Sequence, residues 1–313
     1  ANLNNEVLHQ ANKGVTINEI QNVYKLPKSL QNQWAAHSYH GSEEHNSRAV
    51  LNRYLGYWDA NPATLIPLSP KDSAPLYVEM MGGARKIMAK GEQLIAQGKY
   101  REAVEILNKL VYAEPKNQSA KDLLADAYEQ IGYQKESPSV RNSFLAGAYE
   151  LRHGIPGGVP PKGTGPDTIR AMTTDLWLDY MGIRLDSKKA EGIKFVINLV
   201  TPDNGEKFVV ELRNSTLTNI KGQQAKNPDL TITVNRTDLE SVMGGTATFD
   251  DLLKSGKARF DGDRKPFDQL RGMLVQFAPI FEILPGTMAE KPAPKTAKDP
   301  FEQERMSIQS ATD

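Results

Sequence analysis

The sequence predicts a multidomain protein in which an α-helical domain precedes an α+β domain. Three observations carry this. Between about residues 72 and 153 apolar residues recur at helical spacing: Ala103, Leu107, Leu110 and Val111 fall at i, i+4, i+7 and i+8. Ala120, Leu124, Ala127, Tyr128 and Ile131 repeat the stripe, as do Val140, Phe144, Ala148 and Leu151. Between about 166 and 285 the period changes. Leu230-Thr231-Ile232-Thr233-Val234 alternates strictly, as a half-buried strand does, and Asn204-Gly205 between two apolar runs signals a hairpin. Between the two zones, Gly154 to Gly165 is rich in Pro and Gly and has no period, which marks a linker.

The elements follow in order. Residues 1–70 mix short helical patterns with aromatic-rich loops. Ile17, Ile20 and Val23 have helical spacing that Pro27 ends, and Val50, Leu51, Tyr54 and Leu55 form a second helix-like run before Asn61-Pro62. In the helical zone, Gly98-Lys99-Tyr100-Arg101-Glu102-Ala103 through Pro115 resembles the second half of a tetratricopeptide repeat. Only about one and a half repeats are visible, fewer than the three or so a free-standing solenoid needs. The apolar stripes are therefore expected to pack on the rest of the chain or on a second copy. In the third zone one helix is expected to carry Ile169, Met172, Leu176, Tyr180 and Ile183 on its buried face. Strands are expected at Phe195–Val200, Phe208–Leu212, Leu230–Val234 and Lys257–Gly262. Thr237-Asp238-Leu239-Glu240 reads as a capping box, Thr248 opens a short helix ended by Gly256, and Phe267, Leu270 and Leu274 line a closing helix. From residue 289 the composition is that of a disordered tail.

Composition excludes several classes. The 313 residues carry 38 basic and 38 acidic side chains, so the net charge is zero, which argues against a nucleic-acid footprint. No run approaches the roughly 18 apolar residues of a membrane span. Cysteine is absent, which removes disulfides, thiolate metal sites and thiol nucleophiles. Walker, His-Glu-x-x-His and Gly-x-Ser-x-Gly motifs are all missing. The start has no secretory pattern and no Met, and reads as a mature chain or the C-terminal piece of a longer one.

Four of five histidines (His9, His37, His40, His45) lie in the first zone, either as surface groups or as the seed of a metal site that would need further ligands. Arg48, His45, Asn46 and Tyr54 are donors of the kind that recognise an oxyanion; they equally suit helix capping and packing. In the third zone Trp177, Leu178, Tyr180, Met181 and Ile183 make a helix apolar over a wide arc. That arc fits either an apolar groove between helix and sheet or an ordinary core. No histidine follows His153 and no acid–base pair stands out, so chemistry is not expected there.

Tyr39-His40-Gly41-Ser42 through His45-Asn46-Ser47-Arg48-Ala49-Val50, then Tyr54-Leu55-Gly56-Tyr57-Trp58-Asp59-Ala60-Asn61-Pro62-Ala63, resembles the segment closing the metallo-β-lactamase-type domain of alkyl sulfatases. Gly82-Gly83-Ala84 and Gly132-Tyr133-Gln134 resemble that family's helical dimerisation domain. Pro166-Asp167-Thr168-Ile169-Arg170 and Gly256-Lys257-Ala258-Arg259-Phe260 resemble its sterol-carrier-protein-2-like domain. The resemblance implies the C-terminal half of a zinc-dependent sulfuric ester hydrolase. Residues 1–70 would end the catalytic domain, 71–155 form a homodimer contact, 166–288 bind an alkyl sulfate or fatty-acyl-like chain through Trp177 and Met181, and 289–313 form the tail. It implies sulfate contacts from Tyr54, Arg48, His45 and Asn46, and two zinc ions whose ligands lie upstream, so that this chain alone is inactive. It also implies a periplasmic or secreted location. The rival is a non-catalytic lipid-binding and dimerisation module.

Overall fold

The computed structural model describes residues 1–155, 165–278 and 280–288; the expected tail from 289 and most of the expected linker lie outside these residues. The chain forms two compact units: residues 1–158 with 280–313, and residues 159–279.

The first unit opens with α1 (Asn2–Ala11), α2 (Ile20–Val23), α3 (Lys28–Gln31) and α4 (Glu43–Leu55). Val7, Ile20, Tyr24 and Leu51 form a small buried cluster that gathers α1, α2 and α4. Ser42 caps α4, its hydroxyl accepting from the His45 backbone N–H. Then come α5 (Pro70–Met80), α6 (Ala84–Ala96), α7 (Tyr100–Ala113), α8 (Gln118–Tyr133) and α9 (Pro138–His153). Their main core contains Leu107, Leu110, Val111, Ala120 and Leu124, all at 0% exposure. The α7 and α8 stripes are thus consumed inside the unit, so of the two expected alternatives, the rest of the chain or a second copy, they take the first. Exposed large apolar side chains include a run at Leu55, Tyr57, Leu65, Ile66, Leu68, Leu76, Tyr77 and Met80. Residues 1–70, expected to close a separate catalytic domain, lie in the same compact unit as the helices that follow.

After the second unit the chain returns to the first. Leu284 is buried in the helical core. Glu150, only 8% exposed, accepts from the Ile283 and Leu284 N–H groups at 2.8 and 3.0 Å and from the Thr287 hydroxyl at 2.6 Å. Lys121, 5% exposed, donates to the Gly286 carbonyl. A buried charge is tolerated only with such partners. Gly286 has φ +69°, and a Cβ there would collide with the Pro115 carbonyl, so only glycine lets the strap lie this close.

The second unit contains α10 (Pro166–Ala171), α11 (Thr174–Arg184), β1 (Phe195–Thr201), β2 (Glu206–Arg213), β3 (Thr216–Lys221) and β4 (Leu230–Val234). It ends with α12 (Arg236–Met243), α13 (Phe249–Lys254), β5 (Ala258–Gly262) and α14 (Lys265–Met273). The sheet order is β3-β2-β1-β4-β5. The β1–β2, β2–β3 and β4–β5 pairs are antiparallel and β1–β4 is parallel. The Asn204-Gly205 turn joins β1 to β2, with Thr201 opposite Glu206. Phe195, Ile197 and Leu199 of β1, Phe208, Val210 and Leu212 of β2, and Leu230, Ile232 and Val234 of β4 form the buried core. This is the expected α+β class with one strand more than expected: β3 escaped because its only fully buried side chain is Leu217, at a sheet edge.

Two local expectations are corrected. The single helix over Ile169–Ile183 is two helices, because Met172 and Thr173 are extended and the Thr173 hydroxyl caps the Leu176 N–H. The break re-phases the second helix. Thr174, Leu178 and Met181 face inward, while Leu176, Tyr180 and Ile183 are 55%, 43% and 67% exposed. Nor does Thr237 open a capping box. α12 starts earlier, at Arg236, and its first N–H groups, on Arg236 and Thr237, donate to the Asp203 carboxylate from the β1–β2 turn at 2.6 and 3.1 Å. The Thr248 box is present, its partner being Asp251.

Candidate functional site

The inward face of α11 and the core face of the sheet do not close on each other. They leave a cavity of about 510 Å³, within the range of small-molecule sites. Strand alternation supplies one wall: Ile197 and Leu199 of β1, Val210 of β2 and Ile232 of β4 point the same way from the pleat. Trp177, Leu178 and Met181 of α11 form the second wall. Their one-sided placement follows from the Thr173 cap, which sets the phase of the helix. Met243 and Leu270 add to the lining beside the edge-to-face rings of Phe249 and Phe267, whose centroids are 5.2 Å apart.

The cavity is apolar but not neutral. Among the described residues no Asp, Glu or His lines it, so they offer no agent for general acid–base chemistry there. Among the described residues its only charged lining residues are Arg184 and Arg271. Arg271 is held by Asp250 at 2.9 Å and by Asp268 at 3.5 Å. Arg184 closes α11, and its Nε donates to the Val275 carbonyl at 2.8 Å.

The structure brings Trp177 and Met181 together on this wall, one helical turn apart. It separates the other four residues singled out in the sequence. His45, Asn46, Arg48 and Tyr54 all lie on α4. At about 100° per residue, Tyr54 projects roughly 180° away from His45, while Arg48 stays on the His45 side. Asn46 is half-buried and packs over Gly41, where any Cβ would strike its amide. Tyr54 is 54% exposed. Among the described residues none of these four side chains has a hydrogen-bond partner, so none is consumed by capping or core packing as a donor. The α4 N-terminus carries Glu43 and Glu44 instead. Burial pushes the Glu44 carboxyl up, but the Lys135 ammonium at 2.8 Å, its own backbone and Ser42 overrule this and hold it down at about 2. His37 pairs with Glu136 at 2.9 Å. Among the described residues no group of three or more His, Asp or Glu is placed to hold a metal ion, so these residues do not fit a zinc site.

The sequence led to the sheet as the second apolar wall without naming its residues, and it missed Arg184. The wall had a signal, since Ile197, Leu199 and Val210 alternate within strands that were recognised. Arg184 had none: a basic residue in the last turn of a helix is an ordinary solvated end.

The class of protein is thus a helical domain joined to an α+β domain with an apolar cavity between helix and sheet. The comparisons make this specific. Residues 16–154 match the family model "alkyl sulfatase dimerisation" and residues 162–286 match "alkyl sulfatase C-terminal". The two matches, side by side over most of the chain, are to domains of the alkyl sulfatases, and the chain resembles the C-terminal part of those proteins. It is 40% identical over 282 residues to a linear primary-alkylsulfatase of a Pseudomonas species, covering 90% of this chain and 42% of that one. It is 36% identical over 283 residues to an alkyl/aryl-sulfatase of Saccharomyces cerevisiae, covering 90% and 43%. The solved structure of a stereoselective inverting sec-alkylsulfatase from Pseudomonas superposes with a TM-score of 0.84 at 39% identity, over 90% of this chain and 44% of that one. The chain therefore spans about two fifths of the length of the curated relatives it matches. Among the described residues no helix is long and apolar enough to cross a membrane.

Proposed function

We propose that this chain serves the hydrolysis of alkyl sulfate esters, of the dodecyl sulfate type, to alcohol and sulfate. Its α+β unit holds the alkyl tail and its helical unit joins two copies. The observation that carries the reading is the cavity of about 510 Å³, apolar on both walls and without acid–base groups among its described lining residues, in a chain whose relatives are named alkylsulfatases. A tail of ten or more carbons gains up to about 0.8 kcal/mol per buried methylene in such a place. In this reading the reaction belongs to a metallo-β-lactamase-type domain with two zinc ions, held by ligands other than the described residues, in a periplasmic or secreted protein. Tyr54, Arg48, His45 and Asn46 add donors to the sulfate pocket; their unpaired polar atoms on α4 support this role. The homodimer surface is the exposed apolar run from Leu55 through Met80, which lies inside the dimerisation match.

The test is a chain-length series. Binding of alkyl sulfates of six to twelve carbons to the full chain, below their micelle concentrations, is expected to tighten stepwise until the cavity is filled. Affinity that ignores chain length sinks the tail site and leaves the unit a role in folding or assembly. In the whole protein, zinc content with sulfate release from dodecyl sulfate separates an enzyme from the rival lipid-binding and dimerisation module. Zinc-free protein that binds but never cleaves favours the module.

A further inference from the structure

The two arginines of the cavity are not equivalent. Arg271 is neutralised by Asp250 and Asp268. Among the described residues Arg184 has no carboxylate within ion-pair distance, and none of those lining the cavity is acidic. Its guanidinium is nonetheless positioned. Nε is anchored on the Val275 carbonyl at 2.8 Å, and the guanidinium carbon lies 5.9 Å from the centre of the Tyr180 ring. Its one other contact is weak, from Nη1 to the Met181 sulfur at 4.0 Å. The terminal N–H groups, a planar fork suited to two oxygens at once, have no oxygen acceptor among the described residues and lie beside an apolar chamber. A fixed cation without a counter-ion at the edge of a low-dielectric space favours an anion there, and the chamber favours a hydrocarbon attached to it.

We propose that the cavity takes single-chain amphiphiles with an oxyanion head, and that Arg184 receives that head. The proposal rests on reading the cavity as an alkyl-tail site and adds the charge of the ligand to it. The consequence is discrimination between the two ends of the reaction. An alkyl sulfate carries the charge that Arg184 holds, whereas the alcohol left after hydrolysis has the same tail and no charge. The unit then retains ester and releases alcohol. A fatty carboxylate shares the head-group chemistry and competes.

The test uses the full chain with octyl sulfate, octanoate and 1-octanol, titrated calorimetrically against wild type, Arg184→Met and Arg184→Lys. Wild type is expected to bind octyl sulfate and octanoate more tightly than octanol. Arg184→Met keeps an apolar stem and is expected to weaken both anions by about ten- to a hundredfold, with octanol unchanged. Arg184→Lys keeps the charge but loses the fork, and is expected to recover part of the loss. Melting temperatures of the three proteins monitor the fold. If octanol binds wild type as tightly as octyl sulfate, or if Arg184→Met weakens all three ligands alike, the tail site stands and the role of Arg184 falls. If none of the three ligands binds wild type, both readings fall together.

Discussion

The two units spend their apolar residues differently. The helical unit closes α7 and α8 on themselves until Leu107, Leu110, Val111 and Leu124 show no exposure, and then exposes a separate apolar run between Leu55 and Met80. The α+β unit faces Trp177 and Met181 toward Ile197, Leu199 and Ile232 and leaves about 510 Å³ between them. A close-packed interior is built for stability, whereas a chamber of this size forgoes dispersion contacts that filling it would supply. Apolar content alone does not distinguish the two. What does is whether facing side chains interdigitate, and that depends on helix phase set by single caps such as Thr173.

Substitutions can break or sharpen this contrast. The largest effect is expected from Leu107→Ala in the closed core, at about 2–5 kcal/mol in denaturant unfolding, with a transfer and a cavity contribution. Met181→Ala is expected to cost clearly less, because it enlarges a space that already exists; equal losses would mean that the chamber closes in solution. Glu150→Ala removes the acceptor of three hydrogen bonds to the returning strap and is expected to cost about 1.5–3 kcal/mol. Protease cutting after residue 280 should rise with it, and unchanged resistance would show that Leu284 alone holds the strap. Leu199→Phe, which fills the chamber, is expected to shift stability by less than about 1.5 kcal/mol while abolishing amphiphile binding. Ile66→Glu together with Met80→Glu should change stability only by the few tenths of a kcal/mol typical of exposed sites, roughly 0.5 at most. Sedimentation of the pair variant should give monomers, and an intact dimer would place the interface elsewhere. A further small effect, confined to acid pH, concerns Glu44. Its carboxyl is held at about 2, below its ordinary value of 4.5, so its contribution is complete above pH 4.5 and lost as pH falls toward 2. The Lys135 pair is partly exposed, so that contribution is at most about 1 kcal/mol. Glu44→Gln should therefore flatten the acid limb of a stability–pH curve only below pH 4.5.

Much of the architecture was legible because it is written in local periods. The helical stripes, the alternation of β4, the Asn204-Gly205 turn and the Thr248 box each need fewer than about twenty residues of context. What escaped depends on distant partners. The α11 stripe was read one face out of phase, because nothing at Met172 and Thr173 forces a break except the need to turn Leu178 and Met181 onto the sheet. The α12 cap comes from Asp203, 33 residues upstream of Arg236. Trp177 and Met181 were legible as an apolar surplus, and the structure puts both in the chamber. Arg184 was not, since its meaning lies in the absence of an acidic neighbour, which sequence spacing does not display. His45, Asn46, Arg48 and Tyr54 were legible as donors, but their spread around α4 was implicit in the nine-residue gap between His45 and Tyr54.

The strap held by Glu150 has a consequence for how the chain reaches its native state. Glu150 and Leu284 are 134 positions apart, and everything between them belongs almost entirely to the other unit. In chain order the α+β unit is thus an insertion within the helical one. During synthesis the helical core must wait, with the place of Leu284 open and the Glu150 carboxylate without its partners, until the whole inserted unit has emerged. Contacts of such long sequence separation form late and slowly. The last step of folding should therefore be the docking of nine residues, Ile280–Met288, and a slow refolding phase that disappears when the strap is deleted would identify it.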